Sequence, residues 1–419
     1  MRLENLIIDD EERGVFRVRR RAFTDPEILQ LERERIFEAS WIYTGHESEI
    51  PSAGDYVCRR VAGRSLILVR SSDNVVRAFL NSCPHRGAAV CAAGSGNAKN
   101  FTCPYHGWGF ANTGQLVAVP SQDDYPRSFQ RADFSLRQTA RCQLYRGFIF
   151  VNLDATITSL EQYLGGAKEY LDLLCDQSEA GLEMVSGHHL YSIRANWKLL
   201  AENTMESYHT PVAHKRYMGY MADRGVARKA MKRKGFGEIL GQGHIAMGSA
   251  PPLGGKPIAY WSPLFPAQKK AEMQAVQQRL ADKFGPEKAA RMSQMSRNIL
   301  VFPNLIILDL MAICVRTWFP VAPDYMEVST WCLAPRDEDS TTRALRIDSF
   351  MSFFGPTGFA TPDDVEILES CQHGYRNKEI EWSDLSKGLH KDKPTNADEA
   401  HLRGFWRQWH RLLTRSRDS

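Results

Sequence analysis

Cys83-Pro84-His85-Arg86-Gly87 and Cys103-Pro104-Tyr105-His106-Gly107-Trp108 decide how the rest of the chain is read. Each puts one cysteine and one histidine on a tight turn, and all four lie within 24 residues, which marks a metal site by composition. Two thiolates and two imidazoles are the mixed set that a 2Fe–2S cluster takes when two Cys hold one iron and two His the other. Zinc is the rival. Structural zinc sites favour Cys-x₂₋₄-Cys with His-x₃₋₅-His, so a Cys and a His on each turn, with one residue between Cys83 and His85, suits zinc poorly. Imidazole ligands raise the potential of such a cluster above that of an all-cysteine one, so it can take up an electron and hand it on. The chain should therefore hold a second redox site.

That site is expected in Asn196-Trp-Lys-Leu-Leu-Ala-Glu202-Asn203-Thr-Met-Glu206-Ser-Tyr208-His209-Thr-Pro211-Val-Ala-His214. A helix over 195–208 would make Glu206 and His209, three apart, neighbours on one face. Pro211 would then break the helix and let His214 swing back toward His209. Two imidazoles and a carboxylate with open positions suit a non-haem Fe(II) centre. The carboxylate must come from elsewhere, and Phe354-Gly-Pro-Thr-Gly-Phe-Ala-Thr361-Pro362-Asp363-Asp364-Val-Glu366 offers candidates. There Thr361 could simply cap a helix, Pro362 fill its first turn and the aspartates complement its N-terminus.

Together these stretches resemble the large subunits of the ring-hydroxylating dioxygenases, within the Rieske non-haem iron oxygenases; Arg86-Gly87 and Gly107-Trp108 are similar to that family as well. The resemblance implies a cluster on Cys83, His85, Cys103 and His106, and mononuclear Fe(II) on His209, His214 and Asp364, with Glu366 as fallback. Asn203 belongs to the same motif, and Glu206 stands where the family usually has Asp. Asp363 is then left with helix-end stability of about 1 kcal/mol. The implied fold is α+β: a Rieske β domain inserted in a catalytic domain of antiparallel sheet and flanking helices, helix-grip-like. The implied activity is that of a terminal oxygenase using O₂ and electrons from a ferredoxin or NAD(P)H reductase, or both, to hydroxylate an aromatic ring. Cis-dihydroxylation of an aromatic carboxylate or hydrocarbon is expected; a Rieske monooxygenase and a Rieske electron-transfer protein are the alternatives. The family also implies a head-to-tail homotrimer, with or without a small beta subunit (α₃β₃). In it Glu206 would bridge His209 to His106 of the next subunit.

The wider sequence agrees with this division. At 419 residues and 43% apolar, two or three domains are expected: 1–40 a helical part of the catalytic domain, 41–155 the cluster domain, 156–419 the catalytic domain. Short β-rich runs recur at Tyr56–Val61, Ser65–Val69, Val75–Leu80 and Gly147–Leu153. Further runs at Ile299–Leu308, Met311–Phe319, Glu327–Ala334 and Arg343–Phe350 predict an antiparallel sheet. Helices are expected at Gly165–Cys175 and Ala267–Phe284, and after Thr24 as cap. No Gly-x-Gly-x-x-Gly stands in strand–helix context, so neither NAD nor flavin binding is expected. A net charge of +4 gives no case for nucleic acid, and the absence of a long apolar run or signal-like start predicts a cytoplasmic chain without membrane contact. The basic run Arg224 to Lys234 reads as a solvated loop. The other seven of nine cysteines read as reduced thiols. Arg316, the one charge in an apolar strand, either reaches solvent or pairs a substrate carboxylate. The tail Leu402-Arg-Gly-Phe-Trp-Arg-Gln-Trp resembles that of aromatic-carboxylate members of the family.

Overall fold

The computed structural model describes residues 3–92, 94–226 and 234–415, so most of the run Arg224 to Lys234 lies outside the described residues. The chain forms two compact units, Phe37–Leu160 and a second made of Met1–Ile36 with Glu161–Ser419.

The smaller unit is built of short antiparallel strands in three sheets. Asp55–Val61 and Arg64–Arg70 pair through the two-residue turn Ala62-Gly63, where φ is positive at both positions. Such a turn matches the right-handed twist of the strands that it joins. Val76–Leu80 extends that sheet and delivers the chain to the first Cys-x-His turn. Asn100–Thr102 and Gly109–Ala111 pair on either side of the second. Ile67, Val69, Phe79, Trp108 and Phe110 share one core with Cys83 and Cys103, so the cluster turns stand on packed side chains.

The larger unit is an eight-stranded antiparallel sheet with helices. Six of its strands, Tyr325–Pro335, Ile313–Ala322, Leu305–Asp309, Ser296–Val301, His244–Ala250 and Lys234–Gly241, follow one another across the sheet, each hydrogen-bonded to the next, with Lys234–Gly241 at the edge. Register sorts the side chains by face: Met247 lies opposite Asn298, Asn298 opposite Leu308, and Leu308 opposite Cys314. Because side chains alternate, Arg316 shares that face with Cys314. On the reverse face Arg297 and Asp309 are partners, and Lys256 Nζ donates to the same carboxylate at 2.8 Å.

Three expectations are corrected. Arg343–Phe350 is not a strand but part of the helix Ser340–Phe354. Asp339 caps it, accepting from the amides of Thr341 (2.9 Å) and Thr342 (3.0 Å), and Arg346, Phe350 and Phe354 are buried at helical spacing. The run Ile299–Leu308 is two strands separated by Phe302-Pro303-Asn304. The first long helix is capped by Asp25, which accepts from Glu27 N at 2.8 Å, rather than by Thr24. The glycines of Gly235-x-Gly237 and Gly241-x-Gly243 belong to the hairpin of Lys234–Gly241 and His244–Ala250. A Cβ at Gly237 would collide with His401, and one at Gly243 with Gln408. Both residues belong to the helix Ala400–Thr414, so absent side chains let that helix lie against the hairpin.

Candidate metal centres and the cavity beside them

The two cluster turns are built alike. Gly87 N donates to Cys83 O at 2.8 Å and Cys83 N to Ala88 O at 2.8 Å; Gly107 N donates to Cys103 O at 3.1 Å and Cys103 N to Trp108 O at 2.8 Å. Gly87 (φ +80°) and Gly107 (φ +70°) occupy the left-handed region that each turn needs. The thiols are buried, and burial, with Cys103 adjacent, raises the Cys83 pKa. The His85 and His106 rings lie 4.6 Å apart, with His85 stacked on Trp108 at 4.7 Å. Both imidazole Nδ1 atoms are buried without a hydrogen-bond partner. Two orphaned ring nitrogens beside two buried thiols are a costly arrangement unless they serve as ligands, and the set suits a 2Fe–2S cluster. Cys91 is occupied otherwise: its N donates to Asn81 Oδ1 at 2.9 Å, and its carbonyl accepts from Asn81 Nδ2 at 2.8 Å.

In the larger unit His209, His214 and Asp364 each offer a ligand atom, all within 4.8 Å of one another. The route differs from the expected one. The helix ends at Thr204, and Glu206 lies in the bend that follows. Thr204 O and Met205 O are held by Asn298 and His401, which fixes where the helix stops. Pro211 does not break a helix; it sits in the first turn of the short helix Thr210–Ala213, and the chain turns again at His214. His209 and His214 thus bracket a single helical turn.

Each histidine is held from behind by a carboxylate. Glu206 Oε1 accepts from His209 Nδ1, while Oε2 accepts from the amides of Tyr208 (2.7 Å) and His209 (3.1 Å). Burial alone would depress the His209 pKa, but Glu206 and Asp364 raise it overall. His214 Nδ1 lies 3.3 Å from Asp363 Oδ2, and its Nε2 lies 3.3 Å from Asp364 Oδ1. His209 Nε2 is 3.8 Å from the same oxygen. With Nδ1 engaged, each Nε2 keeps its lone pair directed at the point where the three side chains meet. Asn203 Nδ2 donates to Asp364 Oδ1 at 3.2 Å. Burial raises the Asp364 pKa, against the two imidazoles and Arg316. A facial set of two imidazoles and one carboxylate suits non-haem iron.

The helix Thr361–Gly374 presents both aspartates from its first turn. Thr361 does not cap it; its hydroxyl donates to Phe354 O at 2.9 Å. Glu366 is exposed and outside the ligand group. The carboxylate behind His214 was missed from sequence, although the doubled aspartate carried the signal. A cavity of about 120 Å³ adjoins the ligands, lined by Met247, Asn298, Leu308, Phe353 and Arg316 among others.

Residues 160–415 match the family of the ring-hydroxylating alpha subunit, catalytic domain, and residues 40–135 match the Rieske [2Fe-2S] domain. The chain belongs to the ring-hydroxylating alpha-subunit family. Among its relatives are the toluate 1,2-dioxygenase alpha subunit of Pseudomonas putida, 34% identical over 92% of this chain and 84% of the relative, and the 2-halobenzoate 1,2-dioxygenase large subunit of Burkholderia cepacia, 33% identical over 92% and 83%. The structure of naphthalene 1,2-dioxygenase from Rhodococcus sp. bound to indole superposes with a TM-score of 0.83 at 31% identity, covering 95% of this chain and 94% of that one. The alpha subunit is accordingly an aromatic ring-hydroxylating dioxygenase, an oxidoreductase that incorporates O₂, with a Rieske 2Fe–2S domain and a non-haem iron catalytic domain.

Proposed function

We propose that this chain is the terminal oxygenase that adds both atoms of O₂ to adjacent carbons of an aromatic ring, with Cys83, His85, Cys103 and His106 holding the cluster and His209, His214 and Asp364 the iron. The convergence of those three iron-binding side chains beside a mainly apolar cavity carries the reading. Bound there, the two groups supply electron transfer and activation of O₂. Glu206 and Asp363 fix the orientation of His209 and His214, Asn203 restrains Asp364, and the cavity wall of Met247, Leu308 and Phe353 holds a flat apolar ring free of bulk water.

With the cluster and iron bound, electrons would come from a ferredoxin or reductase in the cytoplasm, and a head-to-tail trimer would provide the interchain route between the residues holding the two groups. Glu206 supports this route. Its carboxylate is already on His209, and three of roughly four acceptor positions are filled within the chain, which leaves one for a histidine of a neighbouring copy. Among the described residues no helix is long and apolar enough to cross a membrane. Toluate and 2-halobenzoate, the substrates in the relatives' names, are aromatic acids, which makes such acids the first compounds to test.

The test is product analysis in ¹⁸O₂ with a ferredoxin, a reductase and a panel of benzoates, salicylates, phthalates and bare arenes. A cis-diol with both oxygens labelled is expected. Singly labelled phenols or demethylated products would replace this reading with a monooxygenase. Iron equal to the cluster's alone would leave an electron carrier.

A further inference from the structure

We infer that Arg316 is the anchor for a substrate carboxylate, so that the cavity selects aromatic acids over bare arenes. The inference rests on the cavity being the substrate site of the proposed oxygenase.

Arg316 lies mid-strand in Ile313–Ala322, between Ile306 and Thr330 in register, and is 4% exposed. Its side chain emerges on the sheet face that floors the cavity and contributes to the lining. Among the described residues, Arg316 is the one lysine or arginine in that lining. Its Nε is buried with no hydrogen-bond partner, and the guanidinium forms no ion pair within the described part of the chain.

The other buried cations of this unit are treated differently. Arg297 and Lys256 share Asp309, Arg346 is on Glu338, Lys198 is on Glu32, and Arg403 donates to the carbonyls of Leu385 (2.9 Å) and Lys387 (3.1 Å). A buried cation without a partner is costly, and such charges are retained where something else supplies the counter-charge. Burial works against the Arg316 charge while Tyr191, Cys314 and Asp364 raise its pKa overall; of these only Asp364 is a carboxylate, no ion pair forms with it, and it belongs to the iron ligands. A planar fork of donors at the wall of an apolar cavity matches a carboxylate in two-point fashion. With the acid group on Arg316 and the ring against Leu308 and Phe353, only part of the ring edge faces the ligand set. The arginine would then set the position of attack as well as affinity.

The experiment is calorimetric titration of the iron-loaded holoenzyme with benzoate, salicylate and phthalate, each paired with its uncharged amide. In the native protein at least one acid should bind roughly 30-fold or more tightly than its amide, as expected for truncating one partner of a desolvated charge pair. Arg316→Gln should bring that ratio to within about threefold while iron content and cluster absorption stay at native levels. Arg316→Lys should retain an intermediate preference, since the charge remains and the two-point geometry is lost. Acids and amides binding alike in the native protein, or a preference that survives Arg316→Gln, would overturn the inference. The native acid–amide comparison decides this even if both variants misfold. Acids that bind through Arg316 yet are never hydroxylated would leave the anchor standing and remove the oxygenase reading. Dihydroxylation of bare arenes with no preference for acids would do the reverse.

Discussion

Asp363 and Glu206 stand in the same relation to the two histidines, each accepting at Nδ1 so that Nε2 faces the iron position. Asp364→Ala should remove the mononuclear iron and leave the cluster's visible absorption intact. Asp363→Ala should keep the ligand but lower iron affinity roughly 10–100-fold, as loss of a carboxylate behind a metal-bound histidine typically does. Iron retained after dialysis against a graded chelator measures both, and native retention in Asp363→Ala would show that the aspartate serves only the helix end. A second residue-scale prediction concerns His244, which is fully buried between two backbone groups. Its Nε2 donates to Tyr163 O at 2.8 Å and its Nδ1 accepts from Phe302 N at 2.9 Å, so the neutral ring is fully used. Burial pushes its pKa from 6.5 down to about 4, against the help of the Tyr163 carbonyl. Between those values the unfolded chain binds a proton that the folded one refuses. Stability from this group is therefore complete above pH 6.5 and falls by up to about 3 kcal/mol as the pH drops to 4. Urea unfolding at several pH values should show a steeper acid loss in the native protein than in His244→Gln.

Within single elements, what could be read from sequence tracked how local the deciding contacts are. The cluster turns were legible because Cys, His and Gly within a few residues contain both the donors and the backbone geometry. Cys83→Ser should accordingly bleach the protein, and Cys91→Ser, whose backbone is clamped by Asn81, should keep its colour. The strand read at Arg343–Phe350 failed because its alternation competes with a period of four that only burial against the sheet decides, together with the Asp339 cap. Asp339→Ala should cost about 1 kcal/mol in denaturant unfolding and nothing in metal content. The iron motif was legible as residues but not as shape. His209 and His214 do meet, yet the chain turns at positions set by Asn298 and His401, residues 94 and 196 positions from the carbonyls they hold, which no local pattern announces. Asp363 was visible as a helix-end acid, but its contact with His214 spans 149 positions.

At the scale of the whole molecule, the proposed trimer makes Glu206 a conduit. Glu206→Gln should bind both metals, reduce its cluster normally and fail to pass electrons in single-turnover experiments; near-normal turnover, or activity as a strict monomer, would remove the interchain route. The helix Ala400–Thr414 and the residues just before it carry a different consequence. Glu399 accepts from Tyr208 Oη at 2.6 Å, His401 holds Met205 O, Trp406 Nε1 donates to Glu202 at 2.6 Å, and Trp409 Nε1 to Glu32 at 2.7 Å. On the ribosome, where chains emerge N-terminus first, the Cys83 and Cys103 turns can close on their own unit long before these residues exist. The His209 bend cannot. The order of manufacture thus separates two maturation events: cluster assembly can begin on a nascent chain, whereas a stable iron site has to wait until nearly the last described turn of helix has been synthesised and docked.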